Sequence, residues 1–126
     1  MADPIRFNIY VAVKDGRLDD FKGIAKEWST YNYKQRPDIL SYEWFFLGDD
    51  EKQALVMEVY ESSEAMLATM EQVSDSEEAE EPDYPYDMIK MEVCGNLSDA
   101  LRKRLDAGKS TIEYYNHING FTREST

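Results

Sequence analysis

Few residues in this chain could carry proton chemistry. His117 is its single histidine and the only side chain whose unperturbed pKa lies near neutrality. It stands two residues after Tyr115 in YYNHINGF, so an extended chain would put both on one side. It is either a proton acceptor for a substrate or an ordinary histidine on a strand surface or interface. Glu58 stands two residues before Tyr60 in QALVMEVYE. Once buried, such a carboxyl is either paired structurally or has a raised pKa and can act as a base. Asn8 in IRFNIYVAV is either a hydrogen-bonding group for a ligand or a plain polar residue of a sheet. His117, Glu58 and Asn8 are therefore the candidate catalytic residues, and they make one site only if they converge on one cavity. Tyr10, Tyr42, Trp44, Tyr60 and Tyr115 are the candidate substrate-binding residues. Activating a phenol or quinol takes aromatic walls, a proton acceptor and exclusion of water. Tyr42, Trp44 and Tyr60 would equally suit a dimer interface.

Other chemistries lack their residues. No His/Cys cluster has zinc spacing, and the six glycines are scattered singly rather than grouped in a phosphate loop. No serine stands in G-x-S-x-G, and the one cysteine, Cys94, has no activator near it in sequence. Neither a metal nor an organic cofactor is expected. Cys94 cannot form an internal disulfide and reads as a small buried strand residue, with a reduced, cytoplasmic setting. The formal net charge of −12 argues against nucleic acid, whose binders need clustered Lys and Arg, and against anionic lipid. No apolar run approaches the roughly 20 residues that span a bilayer, and MADPIRFNIYV does not look like a signal peptide.

The elements that must position these residues follow from hydrophobic period. Ile5–Val13 alternates, with Ile5, Phe7, Ile9, Val11 and Val13 on one face and Arg6, Asn8, Tyr10 and Ala12 on the other, as in a half-buried strand. From Leu18 to Tyr33 the period changes. Leu18, Phe21, Ile24, Ala25, Trp28 and Tyr31 form a helical stripe, and Gly23 in it could permit close approach to a sheet. Pro37 disfavours helix at Arg36. Ile39–Leu47 and Gln53–Glu61 are two strands joined by the short turn GDDEK, and hence antiparallel. Facing Leu47 with Gln53 pairs Tyr42 with Glu58 and Trp44 with Val56. A one-residue slip would instead set Glu43 against Glu58, which like charges oppose. The preferred register gathers Leu40, Tyr42, Trp44 and Phe46 with Ala54, Val56, Glu58 and Tyr60. It puts Ser41, Glu43 and Phe45 with Leu55, Met57 and Val59. The face carrying Tyr42, Trp44, Glu58 and Tyr60 is expected to meet a ligand or a second subunit, and the other face to meet the helices.

Ser62 caps a helix from Ser63 to about Val73. Ser74–Asp87, SDSEEAEEPDYPYD, holds seven acids and no base and reads as a solvated loop. Met88–Gly95 is a fourth strand, Asn96–Ala107 a helix capped by Ser98 and ended by Gly108, and Thr111–Arg123 a fifth strand or extended tail. With 126 residues this is most simply one domain. The order is that of an α+β, ferredoxin-like βαββαβ antiparallel sheet with an extra C-terminal helix and strand. Two helices can cover only one face of such a sheet. The second face is also apolar on strand 2, so it too must be buried, most economically by a second copy.

Three stretches, VAVKDGRLDDF, RPDILSYEW and LVMEVYESSEAM, resemble the antibiotic-biosynthesis-monooxygenase type of domain. Together they cover about Ile5 to Met70; YYNHINGF is similar to late strands in some members. The resemblance implies a homodimeric α+β barrel with a cavity between each sheet and its helices. It further implies a cofactor-independent monooxygenase acting on a small aromatic or quinol-type molecule. Asn8 is similar to a strand-1 asparagine of heme-degrading relatives, but those also need a histidine after the second helix, which is missing here. The alternative is a non-catalytic dimer of the same fold that binds a small ligand or serves as an interaction module.

Overall fold

The computed structural model describes residues 3–76, 83–108 and 111–123. The elements are β1 (Ile5–Val13), α1 (Leu18–Gln35), β2 (Ile39–Phe46), β3 (Gln53–Tyr60), α2 (Ser63–Ser76), β4 (Tyr86–Cys94), α3 (Asp99–Asp106) and β5 (Ile112–Tyr115). The sheet order is β2-β3-β1-β4-β5. The first four strands pair antiparallel, and β5 lies parallel to β4, since α3 carries the chain back over the sheet. The fold is α+β and ferredoxin-like, with the extra helix and strand at its C-terminal end.

Local chemistry sets the boundaries. Ser62 Oγ accepts from the Ala65 N–H at 3.1 Å and caps α2; Ser98 Oγ accepts from Leu101 N–H at 3.1 Å and caps α3. Ser63 Oγ accepts from Ser98 N–H at 2.9 Å and ties the two helix starts together. At Gly95, φ is +134°, and a Cβ would lie 2.9 Å from the Pro4 carbonyl oxygen. Only glycine lets the end of β4 pass that closely.

The β2–β3 register is the expected one: Tyr42 faces Glu58, Trp44 faces Val56, and Leu47 N–H donates to the Gln53 carbonyl at 2.9 Å. Several boundaries differ from expectation. A bulge between Ile39 and Ser41 throws Leu40 out to solvent, away from Tyr42's face. Helix α2 runs on to Ser76 and β4 begins at Tyr86, so both ends of the expected acidic loop lie in regular structure; its residues 77–82 lie outside the described residues. Gly23 is exposed, and a Cβ there would meet nothing within 4 Å, so it brings no close approach. Cys94 is half-buried rather than buried. The expected fifth strand is regular only over Ile112–Tyr115.

The main correction concerns the faces. Phe7 pairs with Glu58, and Ile9 with Val56, so Tyr42, Trp44, Glu58 and Tyr60 share the face of Ile5 and Val11. That face is the one under the helices. One buried cluster sets Ile5, Tyr60 and Val93 against Met66 of α2 and Leu101 and Leu105 of α3. The other sets Val11 and Ala54 against Phe21 of α1. The open face carries Arg6, Asn8 and Tyr10 beside Leu55, Met57 and Val59.

Candidate functional site

Alternation on β2 and β3 carries Tyr42, Trp44, Glu58 and Tyr60 under the helices, Tyr60 within one apolar cluster and Trp44 against the other. Glu58 has Tyr42 on one side and Phe7 on the other as cross-strand neighbours, and it is only 8% exposed. Tyr60 Oη donates to Glu58 Oε1. Burial pushes the Glu58 carboxyl up to about 7, and the bond from Tyr60 opposes that rise. Burial pushes the Tyr60 hydroxyl well above its ordinary value, with the Glu58 charge adding to the effect. Burial does the same to Tyr42, the Glu58 charge again reinforcing it, while Trp44 and Asn32 beside it pull the other way.

An aromatic wall stands on one side of this group, and its centre is Trp44. Phe21 meets Trp44 edge-on at 5.3 Å between ring centroids, and Trp28 meets it at 5.8 Å. Tyr84 stands edge-on to Trp28 at 5.8 Å and stacks on Tyr86 at 5.2 Å. Tyr42 meets the other side of Trp44 at 6.1 Å. Such pairs contribute about 0.5–1.5 kcal/mol each beyond their area. The Trp44 Nε1 is buried and makes no well-formed hydrogen bond among the described residues, although its N–H lies near enough to the Tyr42 hydroxyl to lower that group's pKa; a carbonyl or phenolic oxygen could use the donor.

The cover over this part of the sheet is incomplete. Ile5 and Val11, towards the ends of β1, are buried, whereas Phe7 and Ile9 between them are only half-buried. A cavity of about 190 Å³ lies on the α1 side, with Phe21, Ala25, Trp44 and Phe46 in its wall. Another of about 140 Å³ lies on the α2–α3 side, walled by Phe7, Met70, Met91 and Leu105. Trp44 and Phe7 thus each wall one hollow, and Glu58 packs between them without lining either. Arg36 ties the approach to β2 to helix α2. Its guanidinium grips Asp38 at 2.9 and 3.2 Å and donates to the Ala65 carbonyl of α2 at 3.3 Å, which holds the Asp38 carboxyl below its usual range.

The candidate residues therefore divide. Glu58, Tyr42, Trp44 and Tyr60 come together. Asn8 and Tyr10 lie on the opposite face, because Asn8 pairs with Met57, the neighbour of Glu58. There Asn8 Nδ2 and Tyr10 Oη donate to Glu92 Oε1 at 3.3 and 2.8 Å, and Lys90 lies 3.2 Å from the same carboxylate. The Tyr10 bond leads in holding Glu92 below its ordinary value. Tyr115 sits on that face too, opposite Cys94, and its hydroxyl donates to Glu113. His117 is exposed beyond the end of β5. The expected convergence of His117, Glu58 and Asn8 does not occur, because alternation sends Glu58 and Asn8 to opposite faces and the strand stops before His117.

Sequence reasoning missed Asn32, Tyr84 and Tyr86, and read Phe21 and Trp28 only as helix stripe. The signal for the tyrosines was present: Tyr84, Tyr86 and Met88 alternate, but the surrounding acids hid them. Among the described residues, no group of three or more His, Cys, Asp or Glu side chains is placed to hold a metal.

No protein-family model matches the chain, and no curated protein does. Solved structures do. MupZ from Pseudomonas fluorescens superposes over 100% of this chain and 98% of its own, with a TM-score of 0.78 and 21% identity. PA3566 from Pseudomonas aeruginosa matches 74% of this chain and 91% of its own, with a TM-score of 0.55 and 9% identity. SnoaB, a cofactor-independent oxygenase from Streptomyces nogalater, matches 58% of this chain and 72% of its own, with a TM-score of 0.49 and 15% identity. The likeness is one of fold. MupZ and PA3566 carry it, and it extends to the order and pairing of the elements, not to an activity.

Proposed function

We propose that the protein is a cofactor-independent monooxygenase for a small aromatic or quinol-type substrate, with Glu58 as its acid–base group. One observation carries this reading: a buried carboxyl, its pKa pushed up to about 7 by burial, stands between Tyr42 and Phe7 across the sheet and holds the Tyr60 hydroxyl. A phenol gives up its proton to such a carboxylate far more readily than to one near pKa 4, and a pKa close to the working pH suits a group that must also return the proton. In the overall reaction the substrate loses two hydrogens, gains one atom of O2, and the other atom leaves as water. The substrate thus supplies all the electrons, which is why no cofactor is needed. Glu58 lines neither hollow, so the substrate must displace side chains of the wall to reach it; Glu58 then takes the phenolic proton and later returns it to the departing oxygen. Tyr60 orients the carboxylate. Trp44 Nε1 and the Tyr42 hydroxyl are the donors for the substrate oxygen, and the rings keep water out. Asn8, Tyr10, Tyr115 and His117 take no part at this centre.

The same reading includes a homodimer joined through the open sheet face, where Phe45, Leu47 and Met57 are exposed, and a reduced cytoplasmic setting, which the free Cys94 fits. Oxygen uptake with a panel of hydroquinones and anthrones tests the chemistry. Wild type should consume oxygen above background with at least one compound, Glu58→Gln should lose about 10²–10⁴-fold, and His117→Ala should match wild type. Background uptake by wild type across the panel, or full activity in Glu58→Gln, would reject it.

A further inference from the structure

The hollow on the α1 side is walled by aromatic rings and carries one charge. Phe21, Trp44 and Phe46 supply rings to its wall, and Lys22 is the only charged residue that lines it. Its volume of about 190 Å³ sets the scale of an occupant. A dry apolar cavity of about 150 Å³ takes up one benzene ring, so this one admits a single ring with a short substituent. Trp44, whose buried indole N–H makes no well-formed hydrogen bond among the described residues, gives the wall a donor as well.

Lys22 follows Phe21 on α1, and its ammonium lies 6.0 Å from the centroid of the Phe46 ring, so its charge stands beside the aromatic wall. Glu51 Oε2 meets it there at 2.8 Å. Glu51 belongs to the β2–β3 turn, and among the described residues it is the only one besides glycine with a positive φ, +54°. A residue with a side chain adopts that backbone at a cost, and here the turn brings a carboxylate to the cation that borders the hollow. Both side chains are open to solvent, at 50% and 38%, so the pair itself contributes little to stability and one carboxylate can be exchanged for another. Glu51 thus holds the place that a ligand's acid group would take.

We propose that this hollow binds a single aromatic ring bearing a carboxylate, and that Lys22 selects it by exchanging Glu51 for the acid of the ligand. That such an acid is also the substrate rests on the function proposed above; the binding does not. The inference narrows the substrate class from hydroquinones in general to those that carry an acid on the ring.

Isothermal titration calorimetry of the whole chain tests the binding with two probes of one shape, 3-hydroxybenzoate and 3-hydroxybenzamide, at low salt, where an exposed ion pair is screened least. Far-UV circular dichroism establishes that each variant is folded. Wild type should bind the acid about tenfold more tightly than the amide, or better. Lys22→Gln should abolish that preference and leave the amide's dissociation constant within about twofold. Glu51→Gln should tighten the acid by about threefold or more, because the competing carboxylate is gone. A pair with a structural role alone would not answer the two substitutions in opposite directions. Equal binding of acid and amide by wild type, binding of neither, an undiminished preference in Lys22→Gln, or weaker acid binding in Glu51→Gln would each overturn the inference. Oxygen uptake with 2,5-dihydroxybenzoate and 2,5-dihydroxybenzamide separates it from the proposed function. Uptake with equal kcat/KM for the two would leave the oxygenase standing and remove the acid as its substrate class. Preferential binding of the acid without uptake of oxygen would leave the site standing and remove the oxygenase.

Discussion

Substituting Glu58 by glutamine removes the ionisation without removing the hydrogen bond, since the amide oxygen can still accept from Tyr60. The Glu58 carboxyl titrates at about 7 in the folded chain against 4.5 as the ordinary value. Between those values the folded state binds more protons than the unfolded state, so the free energy of unfolding falls as pH rises. Below about pH 4.5 this loss is absent. It grows through the window and is complete above about pH 7. At about 1.4 kcal/mol per unit of pKa, the full effect is about 3 kcal/mol, and burial leaves little solvent to screen it. Groups such as Asp38 and Glu92, whose pKa values are lowered, give stability that is lost only at more acid pH. They are common to both proteins and cancel in the comparison. Urea unfolding at pH 5, 6, 7 and 8 should find wild type and Glu58→Gln within about 1 kcal/mol at pH 5, and the variant more stable by about 3 kcal/mol at pH 8. Parallel profiles would mean that Glu58 ionises as freely in the fold as in water. The acid–base role would then lose its basis along with the burial argument.

Two further outcomes follow from the geometry. Arg36→Ala should lower stability by about 2 kcal/mol in urea unfolding, because it leaves Asp38 and the Ala65 carbonyl without their charged donor; a change under about 0.5 kcal/mol would show that the brace is idle. The glycines should respond in opposite directions: Gly95→Ala should cost about 2 kcal/mol or more, given its positive φ and the Pro4 oxygen 2.9 Å from the new Cβ, whereas Gly23→Ala, in open helix, should add about 1 kcal/mol. Thermal unfolding of the two variants distinguishes them directly.

Much of the architecture is local physics, and the chain states it. Strict alternation over Ile5–Val13 needs no tertiary knowledge to read as a strand, and Ser62 and Ser98 mark helix starts because a hydroxyl can satisfy free N–H groups. The β2–β3 register was also legible, since Glu43 cannot comfortably face Glu58. From that register alone, Tyr42, Trp44, Glu58 and Tyr60 had to share a face.

Which face the helices cover was not legible. Alternation separates two faces but does not rank them when both carry large apolar groups, as β2 does with Trp44 on one side and Phe45 on the other. That choice belongs to contacts far apart in sequence: Phe21 against Trp44 and Phe46, and Met66, Leu101 and Leu105 against Ile5 and Val93. The same long-range packing brought Tyr84 and Tyr86 out of an acidic stretch and into the aromatic wall. It separated Asn8 from Glu58, although their strands adjoin. The sequence by itself determined the elements, their order and the grouping of side chains within the hairpin, because these depend on backbone period and near-neighbour charge. Only the tertiary structure decided which group is buried, and so which carboxyl titrates near neutrality, because desolvation comes from the whole surrounding shell rather than from the adjoining residues.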